Sequence, residues 1–106
     1  MDFKRARTRS RVRAAQNHAW ARRAGGTVVC WGYNGYGELG DGTMTSRYTP
    51  VTAAGLSDAA ELSAGGGHTC ARRAGGSVAC WGDNDFGELG DGTATRQSTP
   101  VSVSGL

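Results

Sequence analysis

Short apolar–polar alternations broken by glycine run along the chain, and no stretch carries apolar residues at helical spacing. From residue 60 onward the elements separate cleanly. Ala60-Glu61-Leu62-Ser63-Ala64 predicts a strand, closed by a Gly65-Gly66-Gly67 turn. His68-Thr69-Cys70-Ala71-Arg72 and Ser77-Val78-Ala79-Cys80-Trp81 flank Arg73-Ala74-Gly75-Gly76 and predict a hairpin, whose glycines supply the positive φ of a tight turn. A loop rich in Gly, Asp and Asn follows from Gly82 to Thr95. Thr99-Pro100-Val101-Ser102-Val103 alternates again and predicts a last strand. Proline removes a ladder hydrogen bond, so this strand belongs at an edge or begins at the proline.

The same order of elements occurs twice. Cys30-Trp31-Gly32 returns as Cys80-Trp81-Gly82, Gly37-Glu38-Leu39-Gly40-Asp41-Gly42-Thr43 as Gly87-Glu88-Leu89-Gly90-Asp91-Gly92-Thr93, and Thr49-Pro50-Val51 as Thr99-Pro100-Val101, always 50 residues on. Residues 17–56 and 67–106 share 25 identities in 40 positions. Upstream the match fades to Val12 and Ala14 against Leu62 and Ala64. The organisation read from this is a basic arm over 1–13, a first repeat over 14–56 with a degenerate start, and a second repeat over 57–106. Four short strands cannot cover both their faces alone, so such units stack or close into a ring.

Composition narrows the class. Of 106 residues, 18 are glycine and only two proline, which disfavours long helices, and 38% are hydrophobic, with no run approaching the ~20 residues of a membrane-spanning helix. The net charge of +3 hides an asymmetry. Residues 1–13 hold Lys4, Arg5, Arg7, Arg9, Arg11 and Arg13 against Asp2, while the remainder is mildly acidic. From Arg5 to Arg13 arginine takes every second position, which in an extended chain sets the guanidinium groups on one side as a phosphate tracker. A solvated tail, a basic edge strand that discourages aggregation, or a start reading outside the true first repeat explains the same residues.

The repeat as a whole is similar to a known family. His68-Thr69-Cys70-Ala71, Gly76-x-Val78-x-Cys80-Trp81-Gly82-x-Asn84, Gly87-x-Leu89-Gly90-Asp91-Gly92-Thr93 and Pro100-Val101-x-Val103-x-Gly105-Leu106, in that order, resemble the regulator of chromosome condensation repeat. The resemblance covers the second copy fully and the first from about His18, where Trp20 stands in the place of Cys70. It implies an all-β fold: two four-stranded antiparallel blades of a β-propeller that normally has seven. The family's eukaryotic founder is an exchange factor for the small GTPase Ran and docks on chromatin, and other members are interaction scaffolds. In this chain the motif residues Trp31, Trp81, Gly37, Gly40, Asp41, Gly87, Gly90 and Asp91 are expected to be structural. No exchange-specific segment is placed by the resemblance.

Other patterns resolve into turn chemistry. Gly35-Tyr36-Gly37-Glu38-Leu39-Gly40 fits the dinucleotide pattern, but Asp41-Gly42-Thr43 follows where a helix must open, and the second copy has Asp85 in place of the first glycine. Asp83-Asn84-Asp85 opens like a calcium loop, yet Glu88 and Ala94 occupy the positions that need Gly and Glu. Asp41 and Asp91 are expected to fix their loops through side-chain to backbone bonds. His18 and His68 hold equivalent places and lack the nucleophile and orienting acid of a catalytic site, so each reads as a hydrogen-bonded structural histidine. Trp31 and Trp81 read as the largest apolar anchor of each blade.

The cysteines carry the remaining question. If Ala74-Gly75-Gly76 is a three-residue turn, Cys70 and Cys80 face each other at a separation that suits a disulfide; the alternative is two small buried thiols, with Cys30 a third. Cys30 itself would face Trp20. A metal site from His68, Cys70 and Cys80 lacks a fourth ligand. The pair points to an oxidising compartment and an exported parent, while Met1–Arg7 lead into no apolar stretch, so the compartment stays open. The expectation is therefore a non-enzymatic protein–protein interaction module, with no cofactor, no metal and no membrane. Its partner is a protein, a second copy, or the remaining blades of a longer parent. Nucleic-acid binding through Arg5, Arg7, Arg9, Arg11 and Arg13 is the alternative, and nucleotide exchange a third reading by analogy alone.

Overall fold

The computed structural model describes residues 10–14 and 17–104. Eight strands fill two four-stranded antiparallel sheets in chain order. The first holds β1 (Ser10–Ala14), β2 (His18–Arg23), β3 (Val28–Gly32) and β4 (Arg47–Thr52), and the second holds β5 (Ala59–Ala64), β6 (His68–Arg73), β7 (Val78–Gly82) and β8 (Gln97–Ser102). There is no helix among the described residues. This is the two-blade, all-β architecture that the repeat implied.

The segment set apart as a basic arm contributes to the first sheet. Ser10–Ala14 pair with β2 from Ser10↔Arg23 to Ala14↔Ala19. The boundary drawn at residue 13 therefore falls inside a strand, because the arginine alternation is also the period-two signature of an edge strand. Arg5, Arg7 and Arg9 lie outside the described residues, whereas Arg11 and Arg13 sit at alternate positions of β1.

The hairpins follow from local chemistry. Between β6 and β7, Arg73 N–H donates to the Ser77 carbonyl and Gly76 N–H to the Arg73 carbonyl, with Gly76 at φ 97°. A side chain at this φ is strained, which is why glycine closes the turn. Both prolines lie on the outer strands, Pro50 on β4 and Pro100 on β8, where a missing donor is tolerated. The pairing of β3 with β4 slips between Cys30 and Gly32, and that of β7 with β8 between Cys80 and Gly82. Each slip falls at the tryptophan of its repeat and carries the chain out of the sheet into the long loop.

The core lies between the sheets. Trp20, Val28, Cys30 and Leu39 of the first repeat meet Ala71 and Trp81 of the second, and Leu56 and Ala59 seal the crossing between them. Burying one such large side chain stabilises by roughly 2–3 kcal/mol. The chain thus hides one face of each sheet against the other.

Candidate interaction surface

The two sheets meet at a seam built around one backbone carbonyl. Glu38, in the long loop of the first repeat, is fully buried, and its carbonyl oxygen accepts from Trp81 Nε1 at 2.8 Å and from Thr69 Oγ1 at 2.9 Å. Because the Thr69 hydroxyl proton goes to Glu38, its oxygen accepts the bond from His18 Nε2, 2.9 Å away. That fixes the proton on Nε2 and leaves His18 Nδ1 bare and buried. Burial, helped by the neighbouring His68, holds the His18 pKa down at about 4. Burial also raises the Glu38 carboxyl above its usual range, although its Oε1 accepts from Tyr36 N–H at 2.7 Å.

Close backbone approach lets the loop enter. A Cβ on Gly40 would stand 2.8 Å from Trp81 Nε1, so only glycine brings this turn against the indole. Gly42 N–H donates to the Ser98 carbonyl on β8 at 2.8 Å. The Tyr36 ring is covered by the Arg96 guanidinium, 4.6 Å from the centroid, and Arg96 is in turn held by Asp83 and Asp85 at 3.8 Å.

An internal hub keeps each loop in shape. Asn34 is buried, accepts from Leu39 N–H at 3.0 Å through Oδ1, and donates from Nδ2 to the Thr43 and Thr45 carbonyls at 3.0 Å. Asp41 Oδ1 accepts from Thr43 N–H at 3.0 Å and from its hydroxyl at 2.7 Å, while Oδ2 pairs with Arg47. Burial works to raise the Asp41 pKa, but these hydrogen bonds and Arg47 hold it below the usual range. Asn84 and Asp91 repeat the pattern in the second loop. The loop role expected for the aspartates rests on these bonds. The asparagine hubs carried no assignment from sequence, although their recurrence at a 50-residue offset inside Gly/Asp turns was a usable signal.

The central pieces of the seam recur 50 residues away, on the faces that the chain leaves uncovered. Glu88 is the counterpart of Glu38, and its carbonyl enters none of the described hydrogen bonds. Phe86, the counterpart of Tyr36, is 93% exposed. At the other end Trp31 matches Trp81, but it is only half-buried and none of the described hydrogen bonds uses its indole N–H. The two tryptophans, both expected as apolar anchors, differ in burial. Trp81 is enclosed because the first repeat's loop packs on it, and no loop among the described residues packs on Trp31 in that way.

Cys70 and Cys80, opposite each other on β6 and β7, are joined by a disulfide with a Cα–Cα distance of 4.0 Å. The bond lies on the uncovered face of the second sheet, beside a cavity of about 270 Å³ lined by Glu61, Leu62, Ser63, Cys70, Arg72 and Val78. On the corresponding face of the first sheet Trp20 fills the space against its neighbour. Cys30 faces Trp20, is free and buried, and burial followed by the Asp41 charge raises its thiol to about 12. Among the described residues no three His, Cys, Asp or Glu side chains cluster as metal ligands, and no helix is long and apolar enough to cross a membrane.

The chain matches the model described as "Regulator of chromosome condensation (RCC1) repeat" over residues 25–72 and 75–106, and a second model of that description over 60–88. No curated protein matches it. Among solved structures it is similar to yeast RCC1 (Prp20) bound to Kap60, with a TM-score of 0.76, 21% identity, and coverage of 91% of this chain and 23% of that one. Prp20p from Saccharomyces cerevisiae, described with its binding properties to Gsp1p and histones, aligns with a TM-score of 0.77 and 21% identity over 91% of this chain and 24% of its own. Human WBSCR16 gives 0.78 and 22%, over 88% and 24%. These likenesses carry the fold, and the chain spans about a quarter of each structure it matches.

Proposed function

The chain belongs to the regulator of chromosome condensation (RCC1) repeat family, and from that premise we propose that it is a non-enzymatic protein–protein interaction module. It works by offering the uncovered face of its second sheet to a protein partner. The observation that carries the reading is Phe86: a large aromatic side chain, 93% exposed, beside a backbone acceptor whose twin is buried and doubly bonded within the same chain. Aromatic side chains are enriched in the buried centres of protein interfaces, and Phe86 stands on a loop held in shape by the Asn84 and Asp91 hydrogen bonds. Kap60, Gsp1p and histones, named with the yeast structures, are all proteins. Nucleotide exchange rests on family analogy alone and gains nothing from the residues present.

A photo-crosslinking side chain at position 86, tested in extracts of the source cells, is expected to capture one discrete protein. The same group at exposed Thr95 is expected to capture none. Equal labelling from both positions, or none from 86, sinks the reading.

A second reading, nucleic-acid binding, is favoured by the alternating arginines from Arg5 to Arg13, of which Arg11 and Arg13 lie on β1. Affinity for duplex DNA is then expected to fall by orders of magnitude with rising salt. Replacing Arg5, Arg7 and Arg9 with serine, which spares β1, is expected to shallow the log–log slope by about 3. Binding that ignores salt, or a slope that the three changes leave alone, excludes it.

A further inference from the structure

We infer that the uncovered face of the second sheet docks on the uncovered face of the first sheet of another copy of this chain, head to tail, with Phe86 and the Glu88 carbonyl of one copy set against Tyr33, Tyr48 and the Trp31 indole of the next. The inference rests on the interaction reading above and names the partner.

The chain already contains one worked example of this joint. Its first repeat docks on its second through Glu38, Gly40, Gly42 and Tyr36, received by Trp81, Thr69, Ser98 and Arg96. Fifty residues on, the inserting side is preserved: Glu88, Gly90, Gly92 and an aromatic ring at 86. Fifty residues back, the receiving side keeps its central donor, Trp31, and the strand carbonyl at Tyr48 that stands where Ser98 accepts from Gly42. Among the described residues, Gly92 N–H and Trp31 Nε1 enter no hydrogen bond, and one of them stands on each face.

The differences between the filled and unfilled joints are matched across it. In the filled joint the phenol ring of Tyr36 meets a charged site, Arg96 held by Asp83 and Asp85. In the unfilled joint the inserting ring loses its hydroxyl and becomes Phe86. On the receiving side Arg96 and Asp83 become Ser46 and Tyr33, and Ser98 becomes Tyr48. Charge leaves the receiving side where the hydroxyl leaves the inserting ring, and the receiving side gains two aromatic groups. Tyr48 is 95% exposed and Tyr33 45%, so the large exposed aromatics stand on the two faces that the joint would bring together. Aromatic groups on both sides of a contact are the composition of an interface core.

Two further replacements set the strength. Ala19 stands for Thr69, which removes one of the two donors to the carbonyl. Asn17 stands for Gly67, where a Cβ would approach the Tyr36 ring to 3.0 Å, so the Phe86 ring must give by a few tenths of an ångström. The joint between copies is weaker than the one within the chain, and it dissociates on dilution. Head-to-tail contacts close into rings when their rotation divides a full turn, as the blades of a propeller do. Propellers run to about eight blades, so two blades per copy give rings of about three or four copies.

Light scattering on the intact chain across a dilution series tests this, with circular dichroism on the same samples. The expected result is discrete species of about three or four times the 11.0 kDa chain mass at high concentration. Phe86→Asp removes the inserting ring and Tyr48→Asp blocks the receiving face; each is expected to weaken association by at least about ten-fold with the β signal unchanged. Because each variant keeps one intact face, mixing the two is expected to restore a one-to-one dimer that neither forms alone. Trp31→Phe, which keeps the ring and deletes the donor, is expected to shift the midpoint of assembly without abolishing it. A wild-type monomer at all concentrations overturns the inference, as do oligomers that survive both aspartate changes or a mixture that stays monomeric. If position 86 captures a different protein while the pure chain stays monomeric, the interaction reading stands and self-docking falls.

Discussion

His18 shows how one side chain ties the repeats together and what that costs in acid. Its Nε2–H reaches Thr69 across the seam, and the buried Nδ1 has no partner among the described residues, so protonation places a charge where nothing compensates it. The folded pKa of about 4 lies below the ordinary 6.5, so the unfolded chain binds the proton more readily. The contribution is therefore complete above pH 6.5 and is lost as pH falls through the window towards 4. Between pH 7 and 4 the loss is about 3 kcal/mol. The raised Glu38 pKa acts in the opposite sense, so the comparison is best made between variants. Denaturant unfolding of His18→Gln, which removes the titration, is expected to show a flatter stability profile over that window; a profile parallel to the wild type would exclude His18 as its source.

At the scale of the element, the β6–β7 hairpin and its β2–β3 twin share a turn and a register but not a core partner. Trp20 opposite Cys30 fills the space between sheets, and Cys70 opposite Cys80 leaves it open and covalently closed instead. A cross-link over this ten-residue separation stabilises by roughly 2.5–3 kcal/mol in the chain-entropy model. The unreduced, denatured chain is expected to show one free thiol, Cys30, and reduction is expected to lower the unfolding midpoint; three thiols on unreduced protein would exclude the bond. The register that sets Cys70 against Cys80 was legible on the premise of a three-residue turn at Ala74-Gly75-Gly76, but that register suits a bond and two buried thiols alike. The extent of β1 was not legible. Arginine at alternate positions serves equally as an edge strand or as a solvated tail, and only the partner strand decides between them.

On the scale of the whole molecule, the repeat made the architecture readable: a 50-residue offset with turn chemistry conserved between copies leaves little besides stacked four-stranded units. The seam was not readable in the same way. Its acceptor is a main-chain carbonyl, which no residue letter announces, and its donors sit 31 and 43 residues away from Glu38. Sequence treated Trp31 and Trp81 as equals, whereas position in the stack separates an enclosed indole from one that is half-open.

The placement of donor and acceptor within one repeat has a consequence for how such chains lengthen. Each unit carries a tryptophan that looks backward and a glutamate carbonyl that looks forward. A tandem duplication of the unit, wherever it strikes, therefore supplies both halves of a new junction in the correct sense at a single stroke. Any residue supplies the carbonyl, so substitution reaches the junction through the side chains that surround the tryptophan and the inserting ring. Ala19 and Asn17 against Thr69 and Gly67 are the kind of divergence this asymmetry permits.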